Sequence, residues 1–183
     1  MPRLVHIAVV LLGIALFARC ADAATLQQLS MDQMSQSATS IVRASVTGSY
    51  TSVINSTIYT HYKLQVRETW KGSSAVEVLL PGGVANGLRQ AFPGVPALSV
   101  GSEYVLFLWK SSSTGIVHVI GLTQGIYNVS GQADGSTVAW RPKIGEMMLD
   151  AAGKRVADQA VSIDLNAMRL QVRKTLGTAG IVK

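Results

Sequence analysis

One face of a long alternating stretch carries aromatic and basic side chains that suit a binding surface. Within residues 57–83 these candidates are Tyr59, His61, Lys63 and Arg67. Apolar side chains fill most of the positions between them, and Trp70 extends the apolar set. A period of two is typical of a strand with one dry face and one wet face. Aromatic and basic groups on such a face can stack on and hydrogen-bond to a polymer, so we predict a binding surface at these four residues.

Two histidines, His61 and His118, raise the alternative of an extracellular hydrolase. A histidine beside a carboxylate can act as a general base toward a nucleophile or a water. The sequence contains no Gly-x-Ser-x-Gly elbow, however, and its carboxylates are scattered singly. We therefore predict no catalytic residue, and a hydrolase that uses His118 or His61 with a carboxylate is the alternative.

The sequence shows neither the spacing of a metal site nor that of a phosphate-binding loop. The two histidines lack a His-x-x-x-His spacing, and no Gly-Lys-Ser/Thr triplet follows Pro81-Gly82-Gly83. A Pro-Gly-Gly cluster is typical of a strand end. We predict neither a metal site nor a cofactor.

The first residues have the pattern of an export signal. A basic start at Arg3 precedes an apolar run over residues 4–17, and Ala21-Asp22-Ala23 presents small residues to a signal peptidase. The apolar run is shorter than a membrane span requires. We predict a signal peptide at 1–23 with cleavage near Ala23, a secreted or periplasmic protein, and no stable membrane insertion.

The net charge bears on the class of partner, and the cysteine content bears on how the fold is stabilised. Cleavage would lower the net charge from +6 to +5, because Arg3, Arg19 and Asp22 leave with the signal. So modest a charge on an exported protein gives no reason to expect a nucleic acid partner. Cys20, the only cysteine, would also leave, so stability must come from a hydrophobic core rather than from disulfides.

Short alternating segments predict the strands that hold the candidate surface. They fall at 42–46 with a bend near Gly48, at 57–80 as a hairpin, at 103–110 with apolar residues on both faces, at 116–122, and at 127–129 paired with 138–140. The Pro/Gly-rich segment 81–100 has no clear period, and we predict a functional loop there with an extended hairpin near 88–92.

A helix is predicted near the start of the mature chain. Ser30 can cap it, and Gln33 three residues later completes a capping box. Residues 141–161 have the composition of a linker with weak helical content.

A second, amphipathic helix is predicted at the C-terminal end. Apolar residues recur every three or four positions over 165–176. Asp164 or Ser162 can cap this helix, and Gly177 is a natural stop. We predict a mainly β fold: a β-barrel domain of five to seven strands at 24–142, then a linker and the C-terminal helix at 143–183.

Several short motifs follow one another in a recognisable order. They are Ser40-Ile41-Val42, Trp70-Lys71-Gly72, Pro81-Gly82-Gly83, Gly94-Val95-Pro96, Gly101-Ser102-Glu103-Tyr104 and Gln124-Gly125-Ile126-Tyr127. Over residues 26–130 this order resembles a secreted bacterial family of unknown function.

More remotely, a strand closing on Lys-Gly and a later Gly-x-Glu-Tyr-x-x-Phe strand is similar to netrin-like and metalloprotease-inhibitor domains. This resemblance implies an OB-type, five-stranded barrel. The inhibitors contact their target through an N-terminal cysteine, which the mature chain lacks, so the resemblance does not carry their activity.

These observations predict an exported, non-enzymatic β-barrel module that binds a protein or polysaccharide partner. The wet face and the 81–100 segment are the predicted contact surfaces. The alternatives are the hydrolase and a structural envelope protein without a ligand. No pattern in the sequence bears on the oligomeric state.

Overall fold

The computed structural model describes residues 25–143 and 145–179, so the predicted signal peptide lies outside the described residues. Its elements in chain order are β1 (Thr25–Gln27), α1 (Met31–Ser37), β2 (Ser40–Ile54), β3 (Thr57–Lys71), β4 (Glu77–Pro81), β5 (Gly83–Ala85), β6 (Leu88–Gln90), β7 (Glu103–Lys110), β8 (Val117–Val119), a 3₁₀ turn (Leu122–Gly125), β9 (Ile126–Gly131), β10 (Thr137–Arg141), β11 (Met147–Leu149), β12 (Arg155–Val156), β13 (Val161–Asp164) and α2 (Leu165–Ala179). Neither described helix is long and apolar enough to cross a membrane.

An eight-stranded antiparallel sheet forms the body of the described chain. Its strand order is β13-β10-β9-β7-β2-β3-β4, and β8 pairs with β7 beside that path. The prediction of a mainly β fold with a helix near each end is confirmed. The predicted barrel is not closed. Strands β4 and β8 lie against each other, but no ladder of hydrogen bonds joins them. Seven strands of this sheet lie within residues 24–142, and the eighth, β13, lies in the part of the chain predicted as linker and C-terminal helix.

Irregular pairing between β2 and β3 bends both long strands. The register shifts three times, and the shift beside Gly48 leaves Thr47 without a partner on β3. Shifts of this kind are β-bulges, which increase twist and curvature, so the predicted bend near Gly48 is confirmed. The same irregularities move Trp70 into the helix-covered core, and our placement of Trp70 on the face of Leu64 is wrong.

Two hydrophobic cores lie on opposite sides of the sheet. The inner core fills the bend of the sheet and contains Val42, Ala44, Val46, Tyr62, Leu64, Val78, Leu80, Leu98, Tyr104, Leu106, Leu108, Val119 and Ile126. The second core lies beneath the helices and contains Met34, Ala38, Ile41, Val105, Phe107, Tyr127, Ala139, Leu165, Met168 and Val172. β7 contributes to both, which confirms that it is covered on both faces.

Local signals locate the helix starts correctly. Ser30 Oγ accepts a hydrogen bond from the Gln33 N–H at 3.2 Å, and Gln33 Oε1 accepts one from the Ser30 N–H at 2.8 Å. This is the predicted capping box. Asp164 Oδ1 accepts from the Ala167 N–H at 2.9 Å and so caps α2. The predicted stop at Gly177 is wrong, because α2 continues to Ala179.

The segments without a clear period contain short strands. The 81–100 segment includes a small hairpin of β5 and β6, close to the one expected at 88–92. The predicted strand at 116–122 is only β8 followed by the 3₁₀ turn. The prediction of weak helical content over 141–161 is wrong, because β11, β12 and the start of β13 lie there and pair with β1, with each other and with β10. Strands of two to four residues are too short to show a period.

Candidate functional site

The candidate site lies on the outer face of β3, β4 and β8, which we define as the side bearing Tyr59, His61 and Lys63. Successive side chains on a strand point to opposite faces, so Tyr62 and Leu64 enter the inner core while these three residues point away from it. The second core lies against the outer faces of β2 and β7 instead. The outer face of β3 and β4 is therefore where polar chemistry can reach solvent.

His61 links a hydroxyl to a carboxylate at the centre of this face. Ser52 Oγ lies 2.7 Å from His61 Nε2, and Glu77 Oε2 lies 3.0 Å from His61 Nδ1. Only 8 % of His61 is exposed. The predicted wet face therefore does not expose the His61 ring, because the Tyr50 ring stacks on it with centroids 4.4 Å apart and planes 16° apart.

A two-residue turn brings these groups together. Asn55 and Ser56 connect β2 to β3 with φ angles of 48° and 67°, the left-handed conformation that tight hairpins need. The turn fixes Tyr50 opposite His61 and Ser52 opposite Tyr59. On the other side of β3, Lys63 is opposite Glu77, so Glu77 reaches His61 diagonally.

The surroundings of Glu77 set the proton positions. Partial burial raises the pKa of Glu77, but hydrogen bonds from His61 and Tyr50 outweigh this and hold the pKa below its ordinary value. The Tyr50 hydroxyl donates to Glu77 Oε1 at 2.9 Å. An ionised carboxylate only accepts, so His61 Nδ1 carries its proton toward Glu77. In the neutral imidazole, Nε2 then accepts a hydrogen bond from the Ser52 hydroxyl.

An aromatic row flanks this cluster on the same face. His118 lies directly opposite Trp109 on the β7–β8 ladder, with ring centroids 5.9 Å apart and planes 24° apart. Tyr59 lies 6.4 Å from His118 across β4. Burial lowers the pKa of His118, so it is neutral near pH 7 and behaves as an aromatic ring. Trp109 is 45 % exposed, and the row can therefore meet a ligand.

A groove of about 1000 Å³ runs from this face to the end of the sheet near the β3–β4 and β7–β8 loops. His61 and Glu77 line it beside the apolar side chains of Ile54, Leu79 and Ile116. Its remaining wall is rich in hydroxyl groups, from Thr39, Ser40, Ser73, Ser74, Ser111, Ser112 and Thr114. Apart from His61, Glu77 and Lys110 are the ionisable residues among the described lining residues.

The structure brings Tyr59, His61 and Lys63 together but places Arg67 elsewhere. Arg67 Nε lies 3.3 Å from Glu103 Oε1, in an ionic cluster with Arg43 and Glu68. Six residues of strand separate it from His61, roughly 20 Å. Lys63 stays exposed, with Nζ 5.6 Å from the centroid of the Tyr50 ring. The predicted binding surface is thus two separate regions of one strand.

Ser52, Glu77 and Trp109 are site residues that the sequence analysis missed. A signal for Ser52 was present, because the Asn55-Ser56 turn implies the register that pairs β2 with β3. Within the described part of the chain, no three His, Cys, Asp or Glu side chains cluster as metal ligands would.

The described chain is therefore a mainly β protein with an open, hydroxyl-rich groove beside an aromatic row and a Ser-His-Glu cluster. No protein-family model matches the sequence, and no curated protein matches it.

Proposed function

We propose that this chain is an exported, non-enzymatic module of barrel-like, OB-type architecture that binds a neutral polysaccharide in the groove. The observation that carries the proposal is the combination of a large groove with hydroxyl and apolar walls and few charges. Ligand sites typically combine apolar walls with a small number of placed polar groups.

The groove chemistry favours a sugar polymer over a charged one. Hydroxyl groups can donate and accept hydrogen bonds, which matches the alternating donors and acceptors of a glycan. The single positive charge of Lys110 and the single negative charge of Glu77 leave the lining balanced, whereas nucleic acid grooves track the backbone with several cations. A protein partner, the other class predicted from the sequence, is the alternative occupant of the groove.

The aromatic row supports the same ligand class. Trp109, His118 and Tyr59 lie near one another, and Trp109 and His118 are next in sequence to Lys110 and Val117, which line the groove. The apolar C–H faces of sugar rings pack on aromatic rings. Trp109 is the most exposed of the three. Tryptophan is among the side chains whose truncation costs most at binding surfaces.

Affinity electrophoresis through gels containing soluble β-glucan, xylan or mannan tests this proposal. The mature wild type should be retarded by at least one polymer, and Trp109→Ala/His118→Ala should weaken binding by about tenfold or more. Trp140→Ala is the matched control, because Trp140 is 39 % exposed on β10, away from the groove. Arg67→Ala should also bind normally. Equal retardation of all variants would remove the aromatic row from the proposal.

A second candidate function, a hydrolase of ester groups on an extracellular polymer, is supported by the Ser52–His61–Glu77 geometry. The Ser52 oxygen would add to the ester carbonyl carbon while His61 Nε2 takes its proton and Glu77 stabilises the imidazolium. The adduct would expel the alcohol, which regains that proton. Water, deprotonated by His61, would then release the acid and restore Ser52.

Covalent labelling separates this candidate from a purely binding role. A fluorophosphonate probe should modify Ser52 in the wild type, and His61→Gln should slow the labelling by about a hundredfold or more. Ser49→Ala is the matched control, since Ser49 is exposed on the same strand. Absence of labelling at Ser52 excludes the hydrolase. Absence of both labelling and polysaccharide binding would favour the third prediction, a structural envelope protein without a ligand.

A further inference from the structure

A second cavity, separate from the groove, lies at the opposite end of the inner core. Its volume is about 400 Å³, within the range of small-molecule sites. Tyr104 from β7, Ile126 from β9 and Arg141 from β10 line it, together with Pro96 and Glu146. The cavity therefore combines strand residues with the 81–100 segment.

Three buried polar atoms in this lining have no hydrogen-bond partner among the described residues. They are Thr123 Oγ1, Arg141 Nε and Glu146 Oε2. Buried polar groups are nearly always paired, because an unpaired one loses its bonds to water without compensation. All three belong to residues that line this one cavity, and polar groups held there could supply the missing bonds.

The Arg141 guanidinium is held in a fixed orientation. Its Nη1 and Nη2 donate to Asp158 at 2.6 and 2.9 Å. The two side chains are 9 % and 1 % exposed. Asp158 balances the charge of Arg141, and Glu146 balances that of Lys143 on the cavity lining, so the cavity has no excess positive charge to attract an anion. The Nε–H of Arg141 is not used in the pair with Asp158 and is still available to donate a hydrogen bond. The ion pair fixes its position.

We propose that this cavity binds one neutral, polyhydroxyl molecule of monosaccharide size. A hydroxyl group can accept from Arg141 Nε, and a neighbouring hydroxyl can donate to Glu146 Oε2. Thr123 Oγ1 can do either. Pro96, Ala97 and Ile126 supply apolar wall for the C–H faces of the ring. This site does not depend on the function proposed for the groove.

The site gives the 81–100 segment a role. The Ser99 N–H donates to the Tyr104 hydroxyl at 2.9 Å, which anchors the segment to β7. Gly94 has a φ of 75°, and a Cβ built there would lie 3.2 Å from both Cγ and Oε1 of Glu146. Glycine at this position lets the segment approach the Glu146 side chain and hold it against the cavity.

Calorimetric titration of the mature chain with glucose, galactose, mannose, N-acetylglucosamine and inositol tests the proposal. At least one should bind with a Kd of about 1 mM or tighter. Glu146→Gln should weaken that binding by about tenfold or more, and Thr123→Val by about threefold to tenfold. Asp134→Asn removes the same charge from the exposed β9–β10 turn and should change the Kd by less than about twofold.

The outcomes separate the cavity from the groove. Thermal unfolding of each variant shows whether a lost affinity reflects a lost fold. Binding of none of the five compounds, or unchanged binding by Glu146→Gln and Thr123→Val, means that water alone occupies the cavity and overturns the proposal. Loss of monosaccharide binding in Trp109→Ala/His118→Ala, with full binding in Glu146→Gln, would assign the sugar to the groove and likewise overturn it.

Discussion

Removal of the carboxylate of Asp158 should destabilise this protein more than most single substitutions. Asp158→Ala takes away two short bonds to Arg141, at 2.6 and 2.9 Å, and leaves a guanidinium whose side chain is 9 % exposed without its counter-charge. Breaking one partner of a buried pair costs about 3–5 kcal/mol. A domain of this size is stable by about 5–15 kcal/mol, so the variant should lose a large fraction of its stability.

Urea unfolding followed by tryptophan fluorescence measures this loss. With an m-value of about 2 kcal/mol/M, a 4 kcal/mol loss lowers the midpoint by about 2 M. The double variant Arg141→Met/Asp158→Leu should recover most of that loss, because an apolar pair carries no desolvation cost. Asp134→Asn, on the exposed β9–β10 turn, should leave the urea midpoint essentially unchanged.

Two results would contradict this reasoning. If Asp158→Ala lost less than about 1 kcal/mol, the Arg141 charge would be compensated by solvent or by another group, as in an exposed pair. If the double variant were as unstable as the single one, the loss would come from packing around residue 158 rather than from an unpaired charge. Either result would also weaken the premise that Arg141 is rigidly held at the cavity.

Three further predictions concern stability. The pKa of Glu77 is lowered from its ordinary value of 4.5, so its charge stabilises the fold above that pH, and the stability advantage over Glu77→Gln should shrink as the pH is titrated below about 4.5. Ser30→Ala should lose about 0.5–2 kcal/mol in urea unfolding, because the capping box is lost. Gly72→Ala should lose about 2 kcal/mol or more in the same assay, since a Cβ at φ 67° would overlap the Thr39 carbonyl.

Signals that act over a few residues predicted the fold best. The capping box at Ser30 and the cap at Asp164 require only neighbouring residues, and both are present. The apolar run of β7 predicted a strand covered on both faces, which it is. Strand β12 has only two residues, so no periodicity could reveal it. Its existence depends on pairing with β11, which no local pattern encodes.

The candidate site was harder to predict because it depends on register. The alternation in β3 placed His61 on the polar face correctly, but it could not tell that Tyr50 and Glu77 would cover the ring. Those contacts come from the strands on either side. A hydrogen-bonded register must be known before a cross-strand partner can be named. Arg67 shows the same limit, because its partner Glu103 is distant in sequence.

The position of the groove follows from where the helices stop covering the sheet. Ile41 and Phe107 point outward from β2 and β7, and α1 and α2 pack on them to form the second core. Farther along the sheet, His61 on β3 and Glu77 on β4 hydrogen-bond to each other instead, and β3 meets the second core only near its end, through Trp70. Because β4 also lacks a ladder to β8, the groove opens beside this uncovered face. One alternating pattern therefore yields a packed core at one end of the sheet and an accessible polar site at the other.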